Sequence, residues 1–307
     1  MQNVKQVPLR MRIRQHKRLY LMILPGFVLS LIFAYLPTWG LITAFYDYNA
    51  GLGLAGSEFV GLKHFIRFFT DRNFPILIRN SLVISFLNIL WGTIFPIAFA
   101  LLLNEIANLH FKKLVQTISY LPHFISFVVI ANIAQTVFAT EGPVNRLLLS
   151  IGVTDRATTF FAIPKAFWWL VSGINIWKEM GWSAIIYVAA IAGIDPMLYE
   201  AAMVDGAGRF KRMWHITIKG ISSTIVVLLV LAVPDLLNAG FDASYLLGNA
   251  MVQDYSEVLD TYVYRVGLKQ GQYSYATAIG LCRQVVSLIL ILSANTFAKR
   301  ISEYSLF

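Results

Sequence analysis

Residues 80–103 read NSLVISFLNILWGTIFPIAFALLL, 24 consecutive positions without a charged side chain. An α-helix rises about 1.5 Å per residue and needs about 20 apolar residues to cross the roughly 30 Å hydrocarbon core of a bilayer. The stretch is long enough to do so, and it sets the class of the whole chain. Composition agrees. Of 307 residues, 57% are hydrophobic and only 13% charged, whereas soluble domains carry about 25% charged residues. The net charge of +9 comes almost entirely from Lys and Arg lying outside the apolar runs, Lys178 and Arg283 excepted. That distribution argues against nucleic-acid binding. A single cysteine, Cys282, excludes an internal disulfide framework and a cysteine-based metal site.

Five further apolar stretches flank the first: 19–45, 114–138, 167–194, 221–237 and 276–298. Together they predict an all-α polytopic membrane protein with six transmembrane helices, folded as one domain over 19–307 behind a basic segment at 1–18. The first stretch is too long for a signal-peptide core and lacks a small-residue cleavage site, so it is expected to be retained. Lys5, Arg10, Arg12, Arg14, Lys17 and Arg18 precede it. Six spans place Lys112, Lys113, Arg209, Lys211, Arg212, Lys219, Lys299 and Arg300 on that same side. The positive-inside rule makes this side, and both termini, cytoplasmic.

One cytoplasmic stretch is unlike its neighbours. Residues 200–210 read EAAMVDGAGRF, small and polar between two apolar runs. Asp195-Pro196 ahead of it is a helix start, because Asp caps free N–H groups and Pro suits the first helical position. The helix is expected to end near Gly206 and Gly208, where glycine permits a left-handed turn. Ala201, Ala202, Gly206 and Ala207 keep its surface shallow, so another backbone can approach. RFKRMWHITIK beyond it suits a helix at the anionic interface. By composition alone the stretch reads first as an ordinary cytoplasmic loop with helical character.

The spacing EAA, three residues, Gly206, nine residues, Ile216 resembles the EAA motif of binding-protein-dependent ABC importer permeases. The segments LMILPG (21–26), AFYDYN (44–49), FVGLKHF (59–65), ALLLNE (100–105), QTISYLPHFIS (116–126), IWKEMGW (176–182), DTYVYRVGL (260–268) and GQYSYATAIGL (271–281) resemble the carbohydrate branch. More narrowly, they are similar to permeases for oligosaccharides from plant and algal polysaccharides, acidic ones such as alginate and pectin fragments included. The resemblance implies a type I importer permease of the bacterial inner membrane. The implied partners are a second homologous permease subunit in a heterodimer, two ATP-binding subunits, an extracytoplasmic solute-binding protein, the oligosaccharide and membrane lipid. It implies no cofactor on this chain and no enzymatic activity, ATP and Mg being used by the ATPase subunits. The stretch near 196–208 would be the cytoplasmic coupling helix, with Glu200, Ala201, Ala202, Asp205, Gly206 and Gly208 at the ATPase contact and Glu200 as its electrostatic anchor. The family pattern closes on Leu-Pro where this chain has Ile218-Lys219. Gly220 is the expected hinge instead, with Lys219 snorkelling to the headgroups.

Charges at bilayer depth need partners or a wet cavity. Counted along their helices, Asp235 and Arg283 both fall about 10 Å below the outer hydrocarbon surface, so they are expected to pair, as a structural clasp or beside the translocation path. After Pro234, Asn238, Phe241, Asp242 and Tyr245 mix hydrogen-bonding groups with flat rings, as a sugar requires, and Trp182 and Tyr187 face them from the fourth span. An interfacial aromatic belt explains any one of these residues equally well. Lys178 and Glu179 point about 100° apart on a helix and share no face; they are expected to mark where the membrane segment begins after a short surface helix.

Other signals fall away. GLGLAG (51–56) satisfies G-x-G-x-x-G but follows a membrane span, and reads as a flexible turn. No P-loop is present. His16, His64, His110, His123 and His215 form no i, i+4 metal pair. An ion-coupled secondary transporter should show repeats and midplane carboxylates, and an enzyme acting on lipid-linked sugars a carboxylate or metal constellation. Neither signature is found.

Overall fold

A computed structural model describes residues 16–301 of the protein. Lys5, Arg10, Arg12 and Arg14, and most of the 1–18 segment, lie outside them. Helix α1 (Lys17–Phe45) leads into a hairpin of β1 (Tyr46–Asn49) and β2 (Gly53–Phe59). Helices α2 (Lys63–Thr70) and α3 (Phe74–Asn104) follow, then α4 (Leu109–Phe124), α5 (Phe127–Val137) and the short α6 (Pro143–Ser150). Next come α7 (Pro164–Ala192), α8 (Pro196–Val204), α9 (Arg209–Gly220) and α10 (Ser222–Leu237). The chain closes through α11 (Phe241–Leu247), α12 (Leu259–Tyr264) and α13 (Tyr273–Ile301).

Three helices are long and apolar enough to cross a membrane unaided: α1, α3 and the Tyr273–Thr296 part of α13. The remaining apolar runs are bent pairs, with α4 and α5 meeting at 103°, α7 and α8 at 70°, and α9 and α10 at 55°. The stretch 114–138 is therefore not the single straight span that its hydropathy suggests. Pro122 sits in the last turn of α4, and Ile125 and Ser126 are extended, which stops the helix and restarts it in a new direction. The fourth run corrects the reading in the opposite sense. Lys178 and Glu179 lie inside one uninterrupted helix of 29 residues, with no separate surface helix ahead of them. In α1, the ring of Pro37 perturbs the preceding turn, which widens to π over Leu31–Tyr35 before tightening to 3₁₀ over Leu36–Phe45.

The all-α class holds, with one β-hairpin among the described residues. Tyr46 pairs with Phe59 and Asp47 with Glu58, and a bulge separates Asp47 from Asn49. GLGLAG is thus the turn and second strand of an ordered hairpin, not a flexible turn. Strand–turn–strand is also the wrong context for a dinucleotide site.

At the centre, α3 and α7 run side by side in the same sense. Ile84 clusters with Phe167, Val171 and Ile174, while Ala100 and Leu101 cluster with Ala184, Tyr187 and Ile191 further along both helices. The start of α3 is pinned by polar contacts. Asn80, fully buried, donates to the Asp254 and Glu257 carbonyls at 3.0 and 2.8 Å, and Ser81 accepts from Leu259 N–H at 3.0 Å. Asp71, between α2 and α3, accepts from the Tyr262 and Tyr275 hydroxyls at 2.5 and 2.8 Å. Burial works against its charge, but these bonds and the Asn73 amide outweigh it and hold the carboxyl below its usual range.

The expected Asp235–Arg283 pair does not form. Arg283 donates to Asp260 of α12, and Asp235 accepts instead from its neighbour Asn238 at 3.4 Å. Depth was matched but direction was not. Ser287, one turn beyond Arg283, donates to the Pro234 carbonyl at 2.9 Å, so the helices do touch there. The 3₁₀ turn Val233–Leu237 carries the next side chain, Asp235, to a different face. The Arg283 and Asp260 side chains are 26% and 20% exposed. A double-mutant cycle on thermal unfolding should give the Asp260→Ala/Arg283→Ala pair a coupling of about 1–3 kcal/mol. The Asp235→Ala/Arg283→Ala cycle should give none, and a coupling there would restore the rejected pairing.

Candidate functional site

Between α3, α7 and α10 lies a cavity of ≈ 640 Å³. Helix α3 presents Ser85, Asn88, Ile89 and Gly92, and α7 presents Glu179, Trp182, Ser183 and Ile186. Both sets follow the i, i+3, i+4, i+7 spacing of a single helical face. Tyr187 joins from α7, and Leu228, Ala232, Asp235 and Asn238 close the third side. Apolar residues thus form the walls, and a few polar groups converge between them, the arrangement of a small-molecule site. Ser85 Oγ and Asn88 Oδ1 are buried and have no partner among the described residues. No cation lines the cavity among those residues. Glu179 and Asp235 supply acceptors for hydroxyl hydrogens, while Trp182 and Tyr187 supply flat apolar faces.

The Glu179 and Trp182 side chains are held from α4. His123 stacks on Trp182 with ring planes parallel and centroids 4.4 Å apart, and its Nδ1 lies 2.6 Å from Glu179 Oε2. Lys178 Nζ donates to Glu179 Oε1 and to the His123 carbonyl, both at 2.8 Å. Lys178 and Glu179 therefore share a partner in His123, although they point about 100° apart on the helix. The lysine stem is long and flexible enough to fold back along the helix. His123 itself was not singled out for any role by the sequence reading. The available signal was a Lys-Glu pair inside an apolar run, which requires a polar partner from elsewhere.

Of the eight pathway residues expected from sequence, Trp182, Tyr187, Asp235 and Asn238 line this cavity. The other four lie elsewhere. Phe241 and Tyr245 stack on one face of α11 at 4.9 Å, and Tyr264 meets both edge-on. Lys269 lies over the Tyr245 and Tyr264 rings, and its hydrogen bond to Tyr245 holds that hydroxyl below the usual phenol range. Asp242 is exposed on the same short helix, and Arg283 belongs to Asp260.

At the far end of α7, the α8 helix has the expected start. Asp195 Oδ1 accepts from Met197 N–H at 2.9 Å, and Pro196 opens the first turn. Its end is a Schellman closure: Ala207 N–H reaches the Ala202 carbonyl at 2.8 Å and Gly206 N–H the Met203 carbonyl at 3.1 Å. Gly206 takes φ +73°, as expected, whereas Gly208 is extended, with φ −68° and ψ 168°, and starts α9. Tyr199 and Thr217 join hydroxyls at 3.0 Å, tying α8 to α9. Glu200, Ala201, Asp205, Gly206 and Gly208 are exposed, while Ala202 and Ala207 are half-buried. The shallow surface is thus flanked by large apolar side chains that sequence reasoning passed over: Met197, Val204 and Phe210 all face outward. Gly220 directly precedes the 55° bend, which falls at the buried Ile221.

Residues 92–303 match the model of the family described as binding-protein-dependent transport system inner membrane component. The chain is similar to the polygalacturonan/rhamnogalacturonan transport system permease protein YteP of Bacillus subtilis (strain 168), being 47% identical over 304 residues that cover 99% of this chain and 94% of that protein. It is also 43% identical to protein LplB of the same organism, over 96% of this chain and 92% of LplB. Among solved structures, it resembles a chain of a bacterial alginate ABC transporter in complex with an alginate pentasaccharide-bound periplasmic protein. That match has a TM-score of 0.88 and 39% identity, and covers 97% of this chain and 99% of the other. The protein belongs to the binding-protein-dependent transport system inner membrane components, the permease subunits of ABC transporters.

Proposed function

We propose that the chain forms one wall of an oligosaccharide path through the bacterial inner membrane and takes acidic oligosaccharides of the polygalacturonan or alginate kind. The ≈ 640 Å³ cavity carries this reading. Trp182 and Tyr187 offer ring faces to the C–H face of a pyranose, while Asp235, Asn238, Glu179 and the unpartnered Ser85 and Asn88 offer hydrogen bonds to its hydroxyls. The named substrates of the relative and the solved neighbour supply the acidic class. With no lining cation among the described residues, this wall reads hydroxyls, and the counter-charge for the sugar carboxylates falls to the second permease subunit.

The same reading places α8, within 196–208, in a groove of an ATP-binding subunit on the cytoplasmic side, with Glu200, Ala201, Ala202, Asp205, Gly206 and Gly208 at the contact. Two such subunits use the ATP and Mg, and this chain holds no cofactor. Six spans, three of them bent, leave both termini cytoplasmic and the hairpin facing the solute-binding protein. The first part of α1, Lys17–Ser30, has no buried residue, which suits contact with lipid and the second permease. Coupling follows from chain order. Helix α8 is joined to α7 through one bend and to α10 through α9 and another, and both α7 and α10 line the cavity. Motion imposed on α8 by closure of the ATPase dimer is passed to two walls at once.

Reconstituted with a partner permease, ATPases and binding protein, the chain should take up galacturonate or mannuronate oligosaccharides only when ATP is supplied. Uptake driven by an ion gradient without ATPases would overturn the reading. Gly206→Val places a β-branched residue at a left-handed position, at a cost of about 1–3 kcal/mol. It should release the Schellman closure and leave an assembly that hydrolyses ATP without moving sugar, or that fails to retain its ATPases on purification. Wild-type coupling in that variant would remove α8 from the ATPase contact.

A further inference from the structure

The elbow between α4 and α5 touches the cavity wall through His123 and Phe124. We infer that His123 is a positioning residue for the sugar-facing wall: it sets Trp182 and Glu179 in the orientation that the cavity presents. The inference rests on the cavity being the sugar path, as proposed above.

Three contacts converge on this residue. Its ring covers one face of Trp182 in parallel at 4.4 Å, and Phe124 meets the same indole edge-on at 5.4 Å. Trp182 nevertheless stays 42% exposed, so part of the indole remains open to a ligand. An ionised carboxylate only accepts hydrogen bonds. At 2.6 Å from Glu179 Oε2, an imidazole with its proton on Nδ1 donates to that carboxylate. With Oε1 taken by Lys178, Glu179 is held at both oxygens, yet its side chain is 43% exposed. A carboxylate has about four acceptor sites, which leaves room for sugar hydroxyls. The third contact fixes the backbone. The last carbonyls of α4 lack helical partners, and the mostly buried Lys178 ammonium takes that of His123.

The spacing between the helices leaves little slack. A Cβ on Gly181 would lie 2.1 Å from the Ser119 carbonyl oxygen. Only glycine lets α7 approach α4 this closely, and the approach brings the imidazole to stacking distance from the indole. His123 sits two residues before the break at Ile125, where the chain turns through 103°. Any change in that elbow moves the ring that backs Trp182. The cavity surface thereby reports the state of a joint that does not itself line the cavity.

The test uses the complete reconstituted transporter and a panel of galacturonate and mannuronate trisaccharides, read as sugar moved per ATP hydrolysed. Stimulation of ATP hydrolysis by loaded binding protein serves as the check on assembly. His123→Ala should keep that stimulation while lowering the coupling ratio about two- to tenfold, the range corresponding to one aromatic contact. His123→Phe, which keeps a ring on Trp182 but no donor for Glu179, should recover part of the loss. His123→Ala should add to Trp182→Ala no more than the part of the loss that His123→Phe leaves unrecovered, because the rest acts through that indole. A wild-type ratio in His123→Ala, or losses that multiply in full in the double variant, would overturn the inference. So would failure of both His123 variants to assemble, which would make the residue a structural tie alone. Trp182→Ala at the wild-type ratio would instead bring down the cavity reading, so the two failures are told apart.

Discussion

In hydrocarbon an unpaired peptide group costs several kcal/mol, and at three breaks in the apolar helices of this chain a side chain bonds a carbonyl of the broken segment. At the α4–α5 elbow the exposed His123 carbonyl is taken by Lys178. Where Pro234 turns the end of α10 into a 3₁₀ helix, Ser287 of α13 donates to the Pro234 carbonyl. Before the bend at Ile221, Ser222 folds back onto the Lys219 carbonyl at 2.7 Å. At these three places a helix that stops or tightens is matched by a side chain that bonds a carbonyl there. They also give a membrane-embedded chain discrete joints at which stiff segments can rotate.

Those joints are placed where they connect the two ends of the molecule. The cavity is bordered by α7 and α10, and both run, through bends of 70° and 55°, into the segment that carries α8. The parallel packing of α3 on α7 gives that moving pair a partner along its length, from Ile84 on Phe167 to Ala100 near Ala184. A transporter needs a site it can expose to one side and then the other. Stiff walls with jointed ends provide that without unfolding any backbone in lipid.

The features legible in the sequence were those encoded locally. The uncharged run at 80–103 falls within one long helix, and the Asp195-Pro196 start and Gly206 stop of α8 follow capping grammar that depends on a few adjacent residues. Contacts across the fold were not legible. Arg283 found Asp260 rather than Asp235 because helical rise fixes depth but says nothing about which way a neighbouring helix turns. The Lys178–Glu179 pair and the elbow it clamps depend on His123, 55 residues away from Lys178. The hydropathy of 114–138 concealed a right-angled bend, since both arms are apolar and only Pro122 hinted at a stop. Half of the expected pathway residues reached the cavity. The aromatic group at Phe241 and Tyr245 went instead to a separate cluster with Tyr264 and Lys269, where it satisfies its own rings.

The central claim is that the cavity between α3, α7 and α10 opens to alternate sides of the membrane as ATP is bound and released. The single native cysteine makes a direct measurement practical. In a Cys282→Ser background, Ser183→Cys puts one thiol on the cavity wall. The account predicts that membrane-impermeant thiol reagent labels it from the α8 side in the nucleotide-free transporter and from the hairpin side when ATP is trapped. Labelling from the same side in both states would contradict it.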